Sequence, residues 1–131
     1  MVESYRDLIA WQKAMELVAN VYLATVKLRD AERFGLVSQL RRAAVSVPSS
    51  LAEGHSRAAT REFARYISMA MGSLAEIETQ LLICLRLGFL TDTDVRDLLQ
   101  SCSERNRITS GLKRSLTSRL RGTPSSLAPS P

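Results

Sequence analysis

Four stretches of the chain repeat apolar residues at the three- and four-residue spacing of an amphipathic helix. The first runs from Leu8 to Leu28, and the second from about Arg33 to Arg57. The third begins at Thr60, and the fourth opens at Thr91 and continues to about Arg121. A short connection cannot carry the chain back to the other end of a helix. The pattern therefore predicts an all-α fold, an antiparallel up-down-up-down four-helix bundle.

Each predicted helix carries one apolar row that we expect to face the core. The third row is the most regular, because its spacing alternates between four and three residues as in helices that pack at a shallow angle. The predicted rows are Trp11, Met15, Val18, Tyr22, Thr25 and Leu28; Phe34, Val37, Leu40, Ala44, Val47 and Leu51; Phe63, Ile67, Ala70, Leu74, Ile77, Leu81 and Cys84; and Val95, Leu98, Leu99, Cys102, Ile108, Leu112, Leu116 and Leu120.

Local signals refine the helix ends and mark two interior positions. Thr60 and Thr91 are predicted N-caps, and Gly88 is the predicted left-handed residue after the third helix. Pro48 lies inside the second helix and predicts a kink near residues 44–47. Gly72 lies inside the third, where a missing side chain predicts the close approach of another helix.

Length and composition favour one folded domain. The 131 residues are 45% hydrophobic and 24% charged, and they fit a single core over residues 1–121. Residues 122–131 are rich in Pro and Ser without periodicity, which predicts a disordered tail. The N-terminus lacks a signal-like apolar stretch, and no segment reaches about 18 consecutive apolar residues. We therefore expect a cytoplasmic location and no membrane partner.

Charge is the first functional signal. The net charge is +5, and residues 1–100 contain equal numbers of basic and acidic side chains, so the excess lies entirely beyond residue 100. A local basic surface can attract phosphates. A solvated helix face explains the same pattern, and both readings stay open. The candidate nucleic-acid contacts are Arg41 and Arg42, near Arg57, Arg61 and Arg65, and the helix-four residues Arg105, Arg107, Lys113 and Arg114.

The sequence offers no recognisable catalytic or metal-binding motif. Di-metal bundles need Glu-x-x-His motifs, whereas the one histidine, His55, stands two residues after Glu53 and on another helix face. We expect Glu53 to pair with Arg41 or Arg42, Glu76 and Glu78 to be pair or cap partners between subunits, and Cys84 and Cys102 to be reduced core residues. No nucleophile has a base beside it, and no glycine-rich phosphate loop is present. We therefore expect no enzyme activity, no cofactor and no metal.

Three ordered segments resemble the family of four helix bundle proteins encoded in intervening sequences of large-subunit rRNA genes. The first is Tyr5-Arg6-Asp7-Leu8-Ile9-Ala10-Trp11, and the second is Pro48-Ser49-Ser50-Leu51-Ala52-Glu53-Gly54. The third comprises Glu62-Phe63 and Gly72-Ser73-Leu74-Ala75-Glu76-Ile77-Glu78-Thr79. Tyr5 stands where the family more often has Phe, and Leu51 where it more often has Ile.

The resemblance implies an assembly as well as a fold. It implies a homopentameric ring and kinship to the accessory protein of diversity-generating retroelements, which binds reverse transcriptase and nucleic acid. The motif or interface residues it implies are Trp11, Pro48, Glu53, Gly54, Phe63, Gly72 and Glu76. Our leading hypothesis is a non-enzymatic oligomer that binds RNA or DNA, or a ribonucleoprotein, through its basic surface. The alternative is a purely protein-binding assembly, such as an accessory subunit for a reverse transcriptase.

Overall fold

A computed structural model describes residues 3–121, which form four long helices. They are α1 (Ile9–Thr25), α2 (Leu36–His55), α3 (Thr60–Arg86) and α4 (Asp92–Arg121). Single 3-10 turns, Tyr5–Asp7 and Asp30–Glu32, precede α1 and α2, and no strand occurs within the described range. The predicted tail at residues 122–131 lies outside the described residues.

The helices enclose one core in which each helix packs against two others. The contacting pairs are α1 with α2, α2 with α3, α3 with α4 and α1 with α4. Ion pairs show that α1 and α4 run antiparallel, because Lys27 near the end of α1 binds Asp94 near the start of α4, whereas Glu16 binds Arg105. The predicted four-helix bundle is confirmed. The ring stays a prediction.

Helix α3 supplies the most regular wall of the core. The predicted row from Ile67 to Cys84 is buried, and Phe63 packs against it. By length and composition alone this helix could also cross a membrane, with a mean hydropathy of 1.2 over its most apolar window. In the bundle its apolar row instead fills the interior.

Helix α1 confirms its predicted row only in part: Thr25 and Leu28 are buried, and Trp11 and Val18 pack partly buried against the core. Its core residues are the smaller side chains Ala10, Ala14, Leu17 and Val21, while Met15 stays 46% exposed. Apolar residues lie almost all around α1, so bulk alone does not identify the inner face. The small alanine side chains allow the neighbouring helices to approach, and the part of the predicted row from Trp11 to Tyr22 lies on the α1/α2 side of the bundle.

Helix α2 follows its predicted row except at the first position. Leu40, Ala44, Val47 and Leu51 are buried, but Phe34 precedes the helix and is 86% exposed, so its predicted core position is wrong. The ring of Phe34 lies instead under the guanidinium of Arg33, 4.9 Å from its carbon to the ring centroid. Pro48 is buried inside α2, which continues to His55. The kink stays a prediction.

The helix ends test the boundary predictions. Gly88 has φ of 74°, and the next amide, that of Phe89, donates to the Cys84 carbonyl at 2.8 Å, so the left-handed end of α3 is confirmed. The Thr91 hydroxyl accepts from the Asp94 amide at 3.1 Å, as an N-cap does. Thr60 is different. It is the first residue of α3, the cap position is Ala59, and no side chain caps the first turn.

Close approach occurs at Gly54 rather than Gly72. A β-carbon added at Gly54 would lie 2.5 Å from the β-carbon of Tyr66, so α2 and α3 touch there through backbone and ring. A β-carbon at Gly72 would meet nothing within 4 Å. The predicted close contact at Gly72 is therefore wrong within this chain. The missing side chain is required at Gly54, where Tyr66 of α3 occupies the space that a side chain would take.

Candidate nucleic-acid interface

The outer surface of α4 carries the basic excess predicted from the sequence. Arg107, Arg114 and Arg119 are exposed and Lys113 is half-buried, and no acidic residue occurs between Asn106 and Leu120. Hydroxyl side chains share this stretch, namely Ser110, Ser115, Thr117 and Ser118. We call the basic and hydroxyl side chains of residues 106–120 that reach solvent the α4 basic face. Arginine, lysine and hydroxyl groups without carboxylates are the chemistry that contacts phosphate backbones.

Arg105 does not belong to this face. It is only 6% exposed, and its guanidinium donates to the Glu16 carboxylate at 3.0 Å and to Glu104 at 3.1 Å. Its Nε donates to the backbone carbonyl of Lys13 at 3.1 Å. The position of Arg105 argues against the predicted phosphate contact, because burial removes its donors from solvent and two carboxylates offset its charge. It joins α4 to α1.

Arg41 and Arg42 lie elsewhere on the bundle. The Arg41 guanidinium stacks over the Tyr22 ring, 4.4 Å from its centroid, and donates to the Thr25 hydroxyl at 2.8 Å. Arg42 is exposed on the same helix. Since Arg105 lies level with Lys13, the helix rise of 1.5 Å per residue puts roughly 14 Å between that level and Tyr22. Arg41 and Arg42 therefore lie on a surface separate from the helix-four residues, and Arg41 is partly occupied by contacts within its own chain.

A large apolar face lies on the α1/α2 side. A cavity of about 310 Å³ opens there, and Val45 lies on its border with a second cavity that extends to Phe34. We call this surface the α1/α2 apolar face; its members are Tyr5, Trp11, Met15, Val18, Tyr22, Phe34, Val37, Val45, Pro48 and Ala52. It contains the motif residues Trp11 and Pro48, and most of the row predicted for helix one. Exposed apolar patches of this kind mark interaction sites.

A second apolar patch lies on α3. Leu82, Ile83 and Leu87 are 50%, 41% and 56% exposed and line a cavity of about 280 Å³ with Thr79 and Arg86. No residue is common to this patch and the α1/α2 apolar face. The described part of the chain therefore presents these two apolar surfaces on different helices.

Glu53 forms a cluster at the end of α2 rather than the predicted pair with Arg41 or Arg42. The Arg57 guanidinium donates to its carboxylate at 3.0 Å, and the Tyr66 hydroxyl donates to the same oxygen at 3.2 Å. The hydrogen bond with Glu53 raises the pKa of Arg57, and the nearby Tyr66 contributes. Glu53 and Arg57 are one turn apart on the chain, which makes this pairing local. The cluster fixes Arg57 beside the motif residues Gly54 and Phe63.

The remaining acidic motif residue, Glu76, is exposed on α3 and accepts a hydrogen bond from Gln80 at 3.4 Å. Its role between subunits stays a prediction, as does that of Gly72. Among residues 3–121 no three His, Cys, Asp or Glu side chains come together as a metal-binding group. Cys84 and Cys102 are unpaired and buried.

The family model for 23S rRNA-intervening sequence proteins matches residues 6–111, which include α1, α2, α3 and the first two thirds of α4. Of the basic residues on the α4 basic face, the match contains Arg107, while Lys113, Arg114 and Arg119 lie beyond it. The chain belongs to this family. The resemblance of the three motif segments is thereby confirmed at the level of the family. No curated protein matches the sequence.

A solved structure shares the fold of this family member. It is a crystal structure of a protein with unknown function from the S23 ribosomal protein family of Bacteroides thetaiotaomicron. The TM-score is 0.75 at 16% sequence identity, and the match covers 81% of this chain and 96% of that chain. At this identity the likeness concerns the fold alone.

Proposed function

We propose that the chain is a non-enzymatic, homo-oligomeric binding protein that contacts RNA through the α4 basic face. The observation that carries this proposal is the separation of charge on α4. Arg105, the arginine closest to α1, is neutralised and buried, while Arg107, Lys113, Arg114 and Arg119 lie beyond it without an acidic residue. The family's description, which links its members to 23S rRNA-intervening sequences, is consistent with an RNA partner.

The two apolar surfaces support the oligomeric part of the proposal. Contact between two different surfaces is heterologous, and such contacts close into rings when the rotation permits. The α1/α2 apolar face and the α3 patch share no residue, as a head-to-tail contact requires. A ring would present the α4 basic face once per subunit, and several weak phosphate contacts would then act together.

Salt-dependent RNA binding tests the proposal. We would measure the affinity for a structured RNA between 50 and 200 mM salt, for the native chain and for a triple variant with Arg107→Gln, Lys113→Gln and Arg114→Gln. Each lost phosphate contact should reduce the slope of log K against log salt by about 0.7–0.9. The matched control replaces Arg6, Arg29 and Arg96, which are exposed away from both candidate surfaces, with Gln.

The outcomes separate the surfaces. Weaker binding and a flatter slope in the α4 variant alone support the α4 basic face. An equal loss in both triple variants indicates only an effect of net charge, and contradicts a specific face. Unchanged binding in the α4 variant, with loss after Arg41→Gln and Arg42→Gln, moves the contact to α2. No salt-sensitive binding in the native chain contradicts the RNA proposal.

The second candidate function is a purely protein-binding assembly, such as an accessory subunit for a reverse transcriptase that makes no nucleic-acid contact itself. The exposed α1/α2 apolar face favours it, since that surface suits a protein partner. Sedimentation of Val45→Glu tests whether the face joins copies of this chain, with Gln100→Glu on exposed α4 as the control of equal charge. Loss of the oligomer in Val45→Glu alone assigns the face to self-association. An unchanged oligomer leaves it to another protein.

A further inference from the structure

A cavity of about 620 Å³ lies at the end of the bundle where α2 passes into α3. The start of α1 and the last turns of α4 close it from the other side. Ligand sites for small molecules usually have volumes of about 300–1,000 Å³. The residues lining the cavity are Leu8, His55, Arg57, Ala58, Ala59, Thr60, Phe63, Leu112, Ser115, Leu116 and Arg119. Its size and lining are those of a ligand site.

The floor of the cavity is apolar and aromatic. Leu8 and Leu116 are buried beneath it, and Phe63 is partly buried. The rings of His55 and Phe63 meet edge to face, with centroids 5.6 Å apart and planes at 89°. Flat rings at the surface of a groove are where nucleic-acid bases stack, and stacking tolerates any base. The floor therefore suits a base.

The rim of the cavity is basic and hydroxylic. Arg57 and Arg119 stand on it with Thr60 and Ser115. The bonds that hold Arg57 to Glu53 and Tyr66 use its Nη2, and a guanidinium has further donors on Nη1 and Nε. Arginine forks bind phosphate with geometric specificity. Arg57 is thus positioned by its own cluster while keeping donors for an anion.

The cavity is continuous with the α4 basic face. Ser115 and Arg119 belong to both, so a strand that follows α4 reaches the end of the bundle at this cavity. The uncapped first turn of α3, with Thr60 at its start, opens at the same place and adds amide donors. An RNA strand bound along the α4 basic face would therefore end beside the basic rim and the aromatic floor of the cavity.

We infer that this cavity binds the terminal phosphorylated nucleotide of an RNA strand, its base on the Phe63 floor and its phosphate at Arg57 and Arg119. The inference rests on the proposed RNA function and adds to it a preference for phosphorylated strand ends.

The experiment compares RNAs that differ only in their ends. A short single-stranded RNA with an internal fluorescent label is prepared with a 5′-phosphate, with a 3′-phosphate, with two hydroxyl ends, and as a circle. We expect one of the phosphate-ended forms to bind the full chain about ten-fold more tightly than the hydroxyl-ended form and the circle. Which phosphate is preferred identifies the strand end.

Two variants connect the preference with the cavity. Arg119→Gln should abolish the preference for the phosphate. Phe63→Leu should lower the affinity for the phosphate-ended RNA relative to the affinity for the circle. Arg96→Gln is the matched control, because Arg96 is an exposed arginine at the opposite end of α4 that pairs with Asp92. It should retain the preference. Because the Arg119 side chain is exposed, its replacement with Gln should not disturb folding, and a lost preference would not come from a folding defect.

The failures are distinguishable. RNA binding without any preference among the four forms, or a preference that survives Arg119→Gln, overturns this inference and leaves the proposed function standing. Free AMP that binds as tightly as phosphate-ended RNA overturns the assignment to a strand end. Absence of binding to every RNA overturns the proposed function and this inference together.

Discussion

The guanidinium of Arg105 lies 3.0 Å from the carboxylate of Glu16, and the two residues are 89 positions apart in the sequence. This contact crosses the seam between the first and last helices. Arg105 is 6% exposed, whereas the Glu16 side chain keeps 58% of its surface in solvent. Arg105 is therefore the desolvated member of the pair, and its N–H groups need hydrogen-bond acceptors within the protein.

Replacing Arg105 with Met should destabilise the bundle by about 2 kcal/mol, because a charged hydrogen-bonding network is lost while the aliphatic volume is largely kept. Arg105→Lys should recover only part of this, since an ammonium cannot reproduce the fork. Urea unfolding measures both. RNA affinity of the folded Met variant should equal that of the native chain. A selective loss of RNA binding at native stability would return Arg105 to the contact surface.

Gly54→Ala and Gly72→Ala should change stability in opposite directions. At Gly54 the new methyl group would overlap Tyr66, and overpacking costs about 1–3 kcal/mol, more than the helix propensity regained. At Gly72 the methyl group has open space, so the change should stabilise the helix by about 1 kcal/mol. Thermal unfolding of the two variants checks this. Weaker self-association of Gly72→Ala at unchanged subunit stability would place Gly72 between subunits.

The ion pair between Lys27 and Asp94 should produce a stability difference that depends on pH. The hydrogen bond from Lys27 holds the pKa of Asp94 below its ordinary value, and Thr91 contributes to this lowering. A lowered folded pKa stabilises the protein above the unfolded pKa, near 4, and this contribution disappears as the pH falls through the folded value. Asp94→Asn should cost up to about 1 kcal/mol at pH 7, a small value because Lys27 is exposed.

Urea titrations at pH 7 and pH 2.5 test this dependence. The native chain and Asp94→Asn should differ at pH 7 and converge at pH 2.5. Lys27→Met should reduce the effect of Asp94→Asn, as a double-mutant cycle would show. A difference that persists unchanged in acid would attribute the effect of Asp94 to something other than its charge.

The two buried thiols should resist both thiol reagents and deprotonation. Burial raises the pKa of Cys102 to about 12, with Glu78 adding to the shift, and burial also raises the pKa of Cys84. Neither thiol should react with Ellman's reagent at pH 8 until urea unfolds the chain. A fast reaction in the native state would show that the seam around Cys102 opens readily.

The same shift predicts a loss of stability at high pH. The unfolded thiol ionises near pH 9, whereas the folded thiol stays protonated until about pH 12, so rising pH favours the unfolded state between these values. Cys102→Ala should flatten this decline, although it lowers the starting stability through the cavity it leaves. A decline of equal steepness in both chains would assign the alkaline sensitivity to other groups.

The regular parts of the fold were predictable because period and burial coincide there. On α3 apolar residues recur at alternating three- and four-residue steps, and the row from Ile67 to Cys84 is the core row. On α1 the prediction chose Trp11 and Met15 over Ala10 and Ala14. A single sequence does not show that small residues belong inside where helices approach closely and larger ones remain on a second apolar surface.

The sequence predicted the basic charge of the candidate site correctly, but it did not identify all of the residues that form the site. Arg105 stands three residues after Cys102 and four before Thr109, both of which are buried, so its place on the inner row was a signal that could have been read. Its charge led to the opposite assignment. The cavity at the end of the bundle had no such signal, because Arg57 and Arg119 are distant in the chain and only the closed fold brings them together.

The contact between Arg105 and Glu16 can form only after the last helix has been synthesised. The ribosome completes α4 last, so α1, α2 and α3 exist for a time without their fourth wall. During that interval Leu17 and Val21 lack part of their cover, and the Glu16 carboxylate waits at the open seam. An incoming helix with Arg105 at the matching level is thus selected by charge as well as by shape. Chains truncated before Arg105 should therefore aggregate more during synthesis than the chain with all of α4, which closes the bundle.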